Sequence, residues 1–313
     1  MSFHLVIGFG PAGAATARLL AAQGKAVRVV TTSGRSPEPG IEHIALDAAD
    51  GARLTEVAQG AAAIHSCAAP PYHRWASGWP PLVSAACAAA EASGAVLVML
   101  GNLYGYGPVD GPMTEELPLA ATGPKGRVRA AGWEQARQLH EQGRIRAVEV
   151  RASDFFGPGV TDGGHLAARV VPWLLRGKPV STIGDPDAPH SWSYLPDVAR
   201  ALAEVAGEER AWGRAWHLPT GPALSTREMA DRLAARAGTG PVAVRRLSPA
   251  VLGAASLFSP LIRELKEIRY QFDRPFVVDS SAYEAAFTVR ATPVDEQVAA
   301  TVDWWRARAA TAG

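Results

Sequence analysis

Cysteine is nearly absent from this chain. Only Cys67 and Cys87 occur, each among apolar residues, which excludes a disulfide frame or thiolate metal site and fits packing thiols in a reducing compartment. Long hydrophobic runs are missing as well. The opening MSFHLVIGFG has no basic leader, and its apolar stretch is too short for a signal peptide or a membrane span. The expected location is therefore cytoplasmic. Neither sign of charge dominates, with 31 basic against 30 acidic residues, so no field draws the chain to nucleic acid or a membrane surface. A small molecule is the expected partner. The eight histidines show no ligand spacing, and no H-E-x-x-H or cysteine cluster occurs, so no metal is expected. There is no internal repeat and no low-complexity tract.

What is present is enough apolar sequence for a large core: 48% of 313 residues are hydrophobic. Short strand-like runs alternate with alanine-rich helical runs, the pattern of a parallel sheet covered on both faces. Strands are predicted over Phe3 to Ile7, Ala26 to Thr31, His43 to Leu46, Ala62 to Ser66, Val96 to Leu100 and Val148 to Arg151. Helices are predicted over Ala12 to Gln23, Pro81 to Ala92 and Arg127 to Glu141, with Gly24 as a left-handed cap. The fold class is α/β, a doubly wound parallel sheet with a second, smaller C-terminal substrate lobe. Residues 1–155, joined by about 192–220, are expected to form the dinucleotide-binding domain, and most of 156–313 the smaller lobe, since Gly, Pro and Trp break the alternation after about residue 156.

The first helix opens with G-F-G-P-A-G, directly after a strand. Gly8 permits the tight turn, Gly10 lets backbone approach a pyrophosphate, and Gly13 lets the helix pack on the sheet, while Pro11 opens the helix and the free N–H groups from Ala12 onward meet the negative charge. An acidic residue at the tip of the second strand would hold the ribose 2′-hydroxyl of NAD. Here the tip reads Thr31, Thr32, Ser33, Gly34, Arg35, with hydroxyls and a guanidinium suited to a 2′-phosphate. NADP (NADPH) is expected, NAD less so.

Further motifs follow in a particular order: Leu46-Asp47; Ile64-His65-Ser66-Cys67-Ala68-Ala69; Tyr106-Gly107; Arg151-Ala152-Ser153-Asp154-Phe155-Phe156-Gly157-Pro158; Tyr194-Leu195-Pro196-Asp197-Val198; and the closing Thr292-Pro293 and Asp303-Trp304-Trp305. In this order the chain resembles an atypical extended short-chain dehydrogenase/reductase of the NAD-dependent epimerase/dehydratase superfamily. The resemblance implies a nicotinamide site in which Asp47 meets the adenine and Cys67 and Ala68 lie beside the cofactor. By analogy alone it also suggests a homodimer through helices 81–92 and 127–141.

The family's Tyr-x-x-x-Lys pair, in which the lysine holds the ribose and lowers the phenol's pKa, is missing. Aligned on Trp133-Glu134, the tyrosine falls near Gly126 and the lysine near Ala130. Lys125 and Arg129 share one helical face and are candidates to hold ribose or phosphate. Asn102 stands where an assisting hydroxyl is usual. Tyr104, leaving the end of a central strand, is the candidate replacement acid. On the substrate side, Tyr72, His73 and Trp75 sit in a rigid proline-led loop, and Ser153, Asp154 and Phe155 follow a strand, with Asp154 suited to orient an amine or hydroxyl. Where sugar-nucleotide epimerases of the superfamily carry a diphosphate-gripping arginine, this chain reads Pro189-His190-Ser191-Trp192, and His190 is a further candidate.

These features predict an NADP(H)-dependent reductase acting on a C=O, C=N or activated C=C bond of a small, largely apolar molecule. A nucleotide-sugar epimerase or dehydratase, and a non-catalytic NADP-binding sensor, are the alternatives.

Overall fold

The computed structural model describes residues 2–34, 38–161, 164–168 and 170–311. Two compact units divide the chain: Met1–Gly107, Pro118–Ala152 and Val198–Leu218 form unit 1, and Pro108–Leu117, Ser153–Asp197 and Pro219–Gly313 form unit 2.

Unit 1 is built on strands β1 (Phe3–Ile7), β2 (Ala26–Thr31), β3 (Glu42–Ala45), β4 (Ala61–Ser66), β5 (Val96–Asn102) and β6 (Arg146–Ala152). They alternate with helices α1 (Pro11–Ala22), α2 (Gly51–Ala58), α3 (Trp75–Ser93) and α4 (Pro124–Glu141). Strands β7 (Asp154–Phe156), β8 (Val180–Thr182) and β9 (Trp192–Tyr194) follow with α5 (Val171–Leu174), and α6 (Leu195–Gly207) leads to β10 (Ala215–His217). Among the described residues the main sheet has seven strands in the order β10-β6-β5-β4-β1-β2-β3, every neighbouring pair parallel. This is the doubly wound sheet that the alternation predicts. Its central strands read as near-continuous apolar runs because helices cover both faces: Leu5, Ile7, Ile64 and Leu97 are fully buried in one core layer, and Val6, Val29 and Leu20 in another.

The boundaries differ from expectation where packing overrides a local signal. Helix α3 begins at Trp75 rather than Pro81, although Pro80 and Pro81 remove donors from its interior. Trp75 and Trp79, one turn apart, are both buried in the core, and that burial outweighs the lost hydrogen bonds. Strand β10 pairs with β6 through three residues, Ala215, Trp216 and His217, too short a run to carry a period of its own.

Unit 2 holds α7 (Thr226–Ala237), β11 (Val244–Arg246), α8 (Pro249–Phe258), α9 (Pro260–Ile268), α10 (Tyr270–Asp273), α11 (Ser281–Phe287) and α12 (Val294–Thr311). A capping box at Ser225 and Glu228 starts α7. Its apolar face packs with Val298, Val302 and Trp305 of α12. Two short parallel pairs, β7 with β9 and β8 with β11, complete this unit.

Candidate active site

The glycine loop leaves β1 at the point where the chain crosses from β4 on one side to β2 on the other, the crevice where parallel sheets of this kind take ligands. Gly8 has φ +90°, and a Cβ on it would stand 2.7 Å from the Cα of Ala68. At Gly13 a Cβ would fall 2.1 Å from the Gly8 carbonyl oxygen. Gly10 differs from both, since a side chain there would meet nothing within 4 Å. It is the N-cap of α1, makes no side-chain cap bond and is followed by no acid in the first turn. Two glycines thus draw strand, helix and β4 end together, and the third leaves an open cradle before uncapped N–H groups and the positive end of a helix dipole. These residues fit a pyrophosphate.

Around this cradle, the Oγ1 of Thr31 accepts from the Gly34 amide at 3.0 Å, and Thr32 and Ser33 are exposed. No carboxylate is among residues 31–34 at the β2 tip. Arg35, expected to meet the 2′-phosphate, lies outside the described residues. Asp47 is exposed and turns the chain by accepting from the Ala49 amide at 3.0 Å. Burial pushes the Cys67 thiol up to about 12, so this sulfur beside Gly13 is a packing group and no nucleophile.

The neighbouring strand ends carry the reactive side chains. A single 3-10 turn, Tyr104–Tyr106, leaves β5, started by Asn102, whose side-chain oxygen accepts from the Tyr104 amide at 3.2 Å. The Tyr72 hydroxyl, from the loop after β4, donates to the Tyr104 hydroxyl at 3.1 Å. Trp75 lies behind them, stacked on Tyr104 at 5.7 Å and edge-on to Tyr72 at 4.8 Å. Lys125 places its ammonium 5.1 Å from the centre of the Tyr72 ring. The structure therefore brings Tyr72, Tyr104 and Lys125 together in unit 1, while Trp75 is buried as their support and His73 faces solvent.

Arg129 takes a different place. Its guanidinium donates to the Leu100 carbonyl at 2.6 Å and lies 4.1 Å from the Trp79 ring, where burial holds its pKa below the usual arginine value. The guanidinium is thus anchored on β5 and Trp79 while within electrostatic reach of Tyr104, and Lys125 lies against the Tyr72 ring. Beneath them runs a network that sequence reasoning missed. Arg151 donates to Glu149 at 2.7 Å and to the Tyr106 hydroxyl at 2.6 Å, and Tyr106 meets His217 Nε2 at 2.7 Å. Because arginine only donates, the Tyr106 oxygen accepts from Arg151. Gly101 makes room for this: a Cβ there would stand 2.6 Å from a Glu149 carboxylate oxygen. The signal in the sequence was a Glu and an Arg two apart in an otherwise apolar strand, hence on one face of the sheet.

In unit 2, the parallel pairing of β7 with β9 sets Asp154 beside Trp192, and so brings it to His190. Asp154 Oδ2 lies 3.0 Å from His190 Nε2, and the other ring nitrogen, Nδ1, lies 3.2 Å from the Gln271 carbonyl. Burial pushes the Asp154 carboxyl up, but the hydrogen bond and charge of His190, with His165, outweigh it and hold the group below the usual aspartate value. Ser153 Oγ stands 3.5 Å from the same Nε2, while Phe155 is half-buried on β7. Rings of Trp192, Phe276 and Phe272 surround His190 at 4.4, 5.3 and 5.4 Å. The run Tyr270-Gln271-Phe272 supplies part of this wall, and its aromatic density was the available clue. Among the described residues no His, Cys, Asp and Glu group could hold a metal ion, and no helix is long and apolar enough to cross a membrane.

The sequence model of the NAD dependent epimerase/dehydratase family matches residues 4–216. A search of curated protein sequences finds no match. Among solved structures, a dTDP-glucose 4,6-dehydratase from Bacillus anthracis in complex with NAD has a TM-score of 0.80 at 16% identity, covering 98% of this chain and 97% of that one. A UDP-glucuronic acid 4-epimerase from Bacillus cereus in complex with NAD has a TM-score of 0.78 at 14% identity, covering 97% and 99%. A dTDP-glucose 4,6-dehydratase from Streptomyces venezuelae has 0.77 at 21%, covering 98% of both chains. At these identities the likeness is one of fold.

Proposed function

Since the chain belongs to the NAD-dependent epimerase/dehydratase family, we propose that it is an enzyme holding a nicotinamide dinucleotide on Gly8, Gly10 and Gly13 and exchanging hydride with a carbon that bears a hydroxyl or carbonyl. When bound, the dinucleotide supplies or accepts that hydride. The chain's residues do the rest: the α1 amides bind the pyrophosphate, the end of β2 takes the adenosine ribose, and the Tyr104 hydroxyl moves the proton. Tyr104 accepts from Tyr72, and a phenol hydroxyl can both accept and donate, the capacity a proton transfer to a substrate oxygen needs. The Lys125 ammonium beside Tyr72 opposes the negative charge left on the phenol pair. The observation that carries this reading is the phenol pair at the carboxyl ends of β4 and β5, the end of the sheet where ligands approach such folds.

The relatives are described as dehydratases and epimerases with NAD, which favours withdrawal and return of hydride on one substrate over the expected one-way reduction. The reductase reading stays second. It is supported by the β2 tip, whose residues 31–34 include no carboxylate and so suit the 2′-phosphate of NADPH. Net loss of the reduced-nicotinamide absorbance with NADPH and ketones, enones or imines marks the reductase, whereas withdrawal and return of hydride leaves that band without net change and is read by product analysis of UDP-glucose and dTDP-glucose. Turnover lowered about 100-fold or more in Tyr104→Phe is expected; dinucleotide binding with neither absorbance change nor any product from these substrates would make the protein a sensor. Tighter binding of NADPH than NADH is expected, and the reverse order would replace NADP with NAD.

A further inference from the structure

The segment Tyr104–Tyr106 is a single 3-10 turn, a geometry whose own hydrogen bonds are poor and do little to fix it in place. Its backbone bonds, from the Tyr106 amide to the Leu103 carbonyl at 3.2 Å and from the Gly107 amide to the Tyr104 carbonyl at 3.1 Å, lie at the long end of the normal range. The Tyr106 side chain is held more firmly. It is 2% exposed, and its hydroxyl accepts from Arg151 on β6 at 2.6 Å and meets His217 Nε2 on β10 at 2.7 Å. The Arg151 guanidinium also lies 5.0 Å from the Tyr106 ring and is itself held by Glu149 at 2.7 Å. Tyr106, Glu149, Arg151 and His217 are all buried, so water does not compete for these bonds and each is stronger for it.

We infer that Tyr106 is a positioning residue: clamped by Arg151 and His217, it sets where the Tyr104 phenol stands. A 3-10 helix has three residues per turn, so positions 104 and 106 point about a third of a turn apart. Fixing the ring at 106 therefore fixes the direction taken at 104, where the half-buried phenol meets the Tyr72 hydroxyl and stacks on Trp75. The clamp is rooted in the sheet, since β10 pairs with β6 and β6 with β5. Tyr72, by contrast, comes from the loop after β4. Such support matters because a reacting group displaced by about 1 Å loses as much as about 100-fold in rate. The kinetic consequence rests on the proposed function, in which Tyr104 moves the proton; the placement of the ring does not.

The test compares the full chain in four forms: native, Tyr106→Phe, Tyr104→Phe and the double variant. Labelled with 3-fluorotyrosine, the six tyrosines each give a fluorine resonance, and the one lost in Tyr104→Phe belongs to Tyr104. In Tyr106→Phe that resonance is expected to shift or broaden while those of Tyr194, Tyr270 and Tyr283 in unit 2 hold. An unmoved Tyr104 resonance would overturn the inference. Turnover on the ketone, enone, imine and sugar-nucleotide panel gives the second reading. Tyr106→Phe is expected to lose about tenfold in turnover with NADPH affinity within about twofold of native. With Tyr104 already Phe it is expected to lose less than about twofold, since a residue acting only through Tyr104 then has nothing left to position. Equal losses in both backgrounds would make Tyr106 a part of the fold alone and overturn the inference as well. Full turnover in Tyr104→Phe fails the proposed function instead, and the fluorine spectrum then decides the placement by itself. If Tyr106→Phe does not fold, His217→Gln, which leaves the Arg151 bond in place, is read in its stead with the same expectations.

Discussion

Gly126 has no room for a side chain because of Tyr104: a Cβ built on it would stand 2.4 Å from the Tyr104 carbonyl oxygen and 2.3 Å from Cβ of Ala121. The family's tyrosine position is thus closed by the same turn that presents the replacement phenol. Close approach of α4 to this turn also delivers Lys125 to the Tyr72 ring. Gly126→Ala should therefore destabilise the protein by about 2 kcal/mol, as overpacking of a tight contact does, and Gly126→Tyr by more, without restoring any activity. Urea denaturation measures it. An unchanged midpoint for Gly126→Ala would show that the helix has slack.

The phenol pair gives a kinetic expectation. Tyr104→Phe should lower turnover about 100-fold or more, the usual contribution of a positioned proton donor, with little change in dinucleotide affinity. Tyr72→Phe should cost less, since it leaves the Tyr104 hydroxyl in place and removes only its donor. Full activity in Tyr104→Phe would take the proton step away from this residue.

Two glycines of the loop should fail in different ways. In Gly13→Ala the new methyl would collide with the Gly8 carbonyl, so the loss is one of stability, about 1–3 kcal/mol. Gly10→Ala meets nothing in the protein and fills the cradle instead. Its denaturation midpoint should hold while NADPH affinity falls at least tenfold, a loss of about 1.4 kcal/mol in binding. Loss of stability without loss of affinity in Gly10→Ala would move the pyrophosphate elsewhere.

This contrast shows what a sequence carries well. The β1, loop and α1 segment was legible because every cause lies within a few residues: a five-residue apolar strand, glycines at fixed offsets and a proline at the first helical turn. Residues whose role depends on distant pairing were not legible. Asp154 could be singled out as a carboxylate after a strand, but its partnership with His190 exists only once β7 lies parallel to β9. Arg129 shows how distant contacts place a side chain. Helical spacing put it beside Lys125, yet a backbone carbonyl and the Trp79 ring, on other elements, decide where the guanidinium goes.

The buried Glu149–Arg151 pair predicts an asymmetric mutational response. Both side chains are 4% exposed, so Glu149→Gln strands a guanidinium that burial alone would not tolerate. A loss of about 3–5 kcal/mol is expected. Replacing both, as Glu149→Gln with Arg151→Met, removes the uncompensated charge and should recover part of the loss. A double variant no more stable than Glu149→Gln would mean that Arg151 matters through Tyr106, which holds the turn bearing Tyr104, rather than through its charge.

Two buried histidines steepen the acid limb of stability. His65, fully buried on β4 with Nε2 3.0 Å from His4 Nδ1, is brought down to about 3, mainly by burial and then by the charge of His4. His165 is brought down to about 4, again mainly by burial. In the unfolded chain both titrate near 6.5, so between that value and the folded ones the unfolded state binds more protons. Stability then rises with pH across this window and is lost on acidification, at about 1.4 kcal/mol per pH unit for each group. Urea midpoints measured from pH 7 to pH 4.5 should fall steadily. His65→Leu removes one of the two groups and should make that slope shallower whatever its effect on absolute stability. A native profile flat over this range would mean that water or a local opening lets these rings take up protons without unfolding.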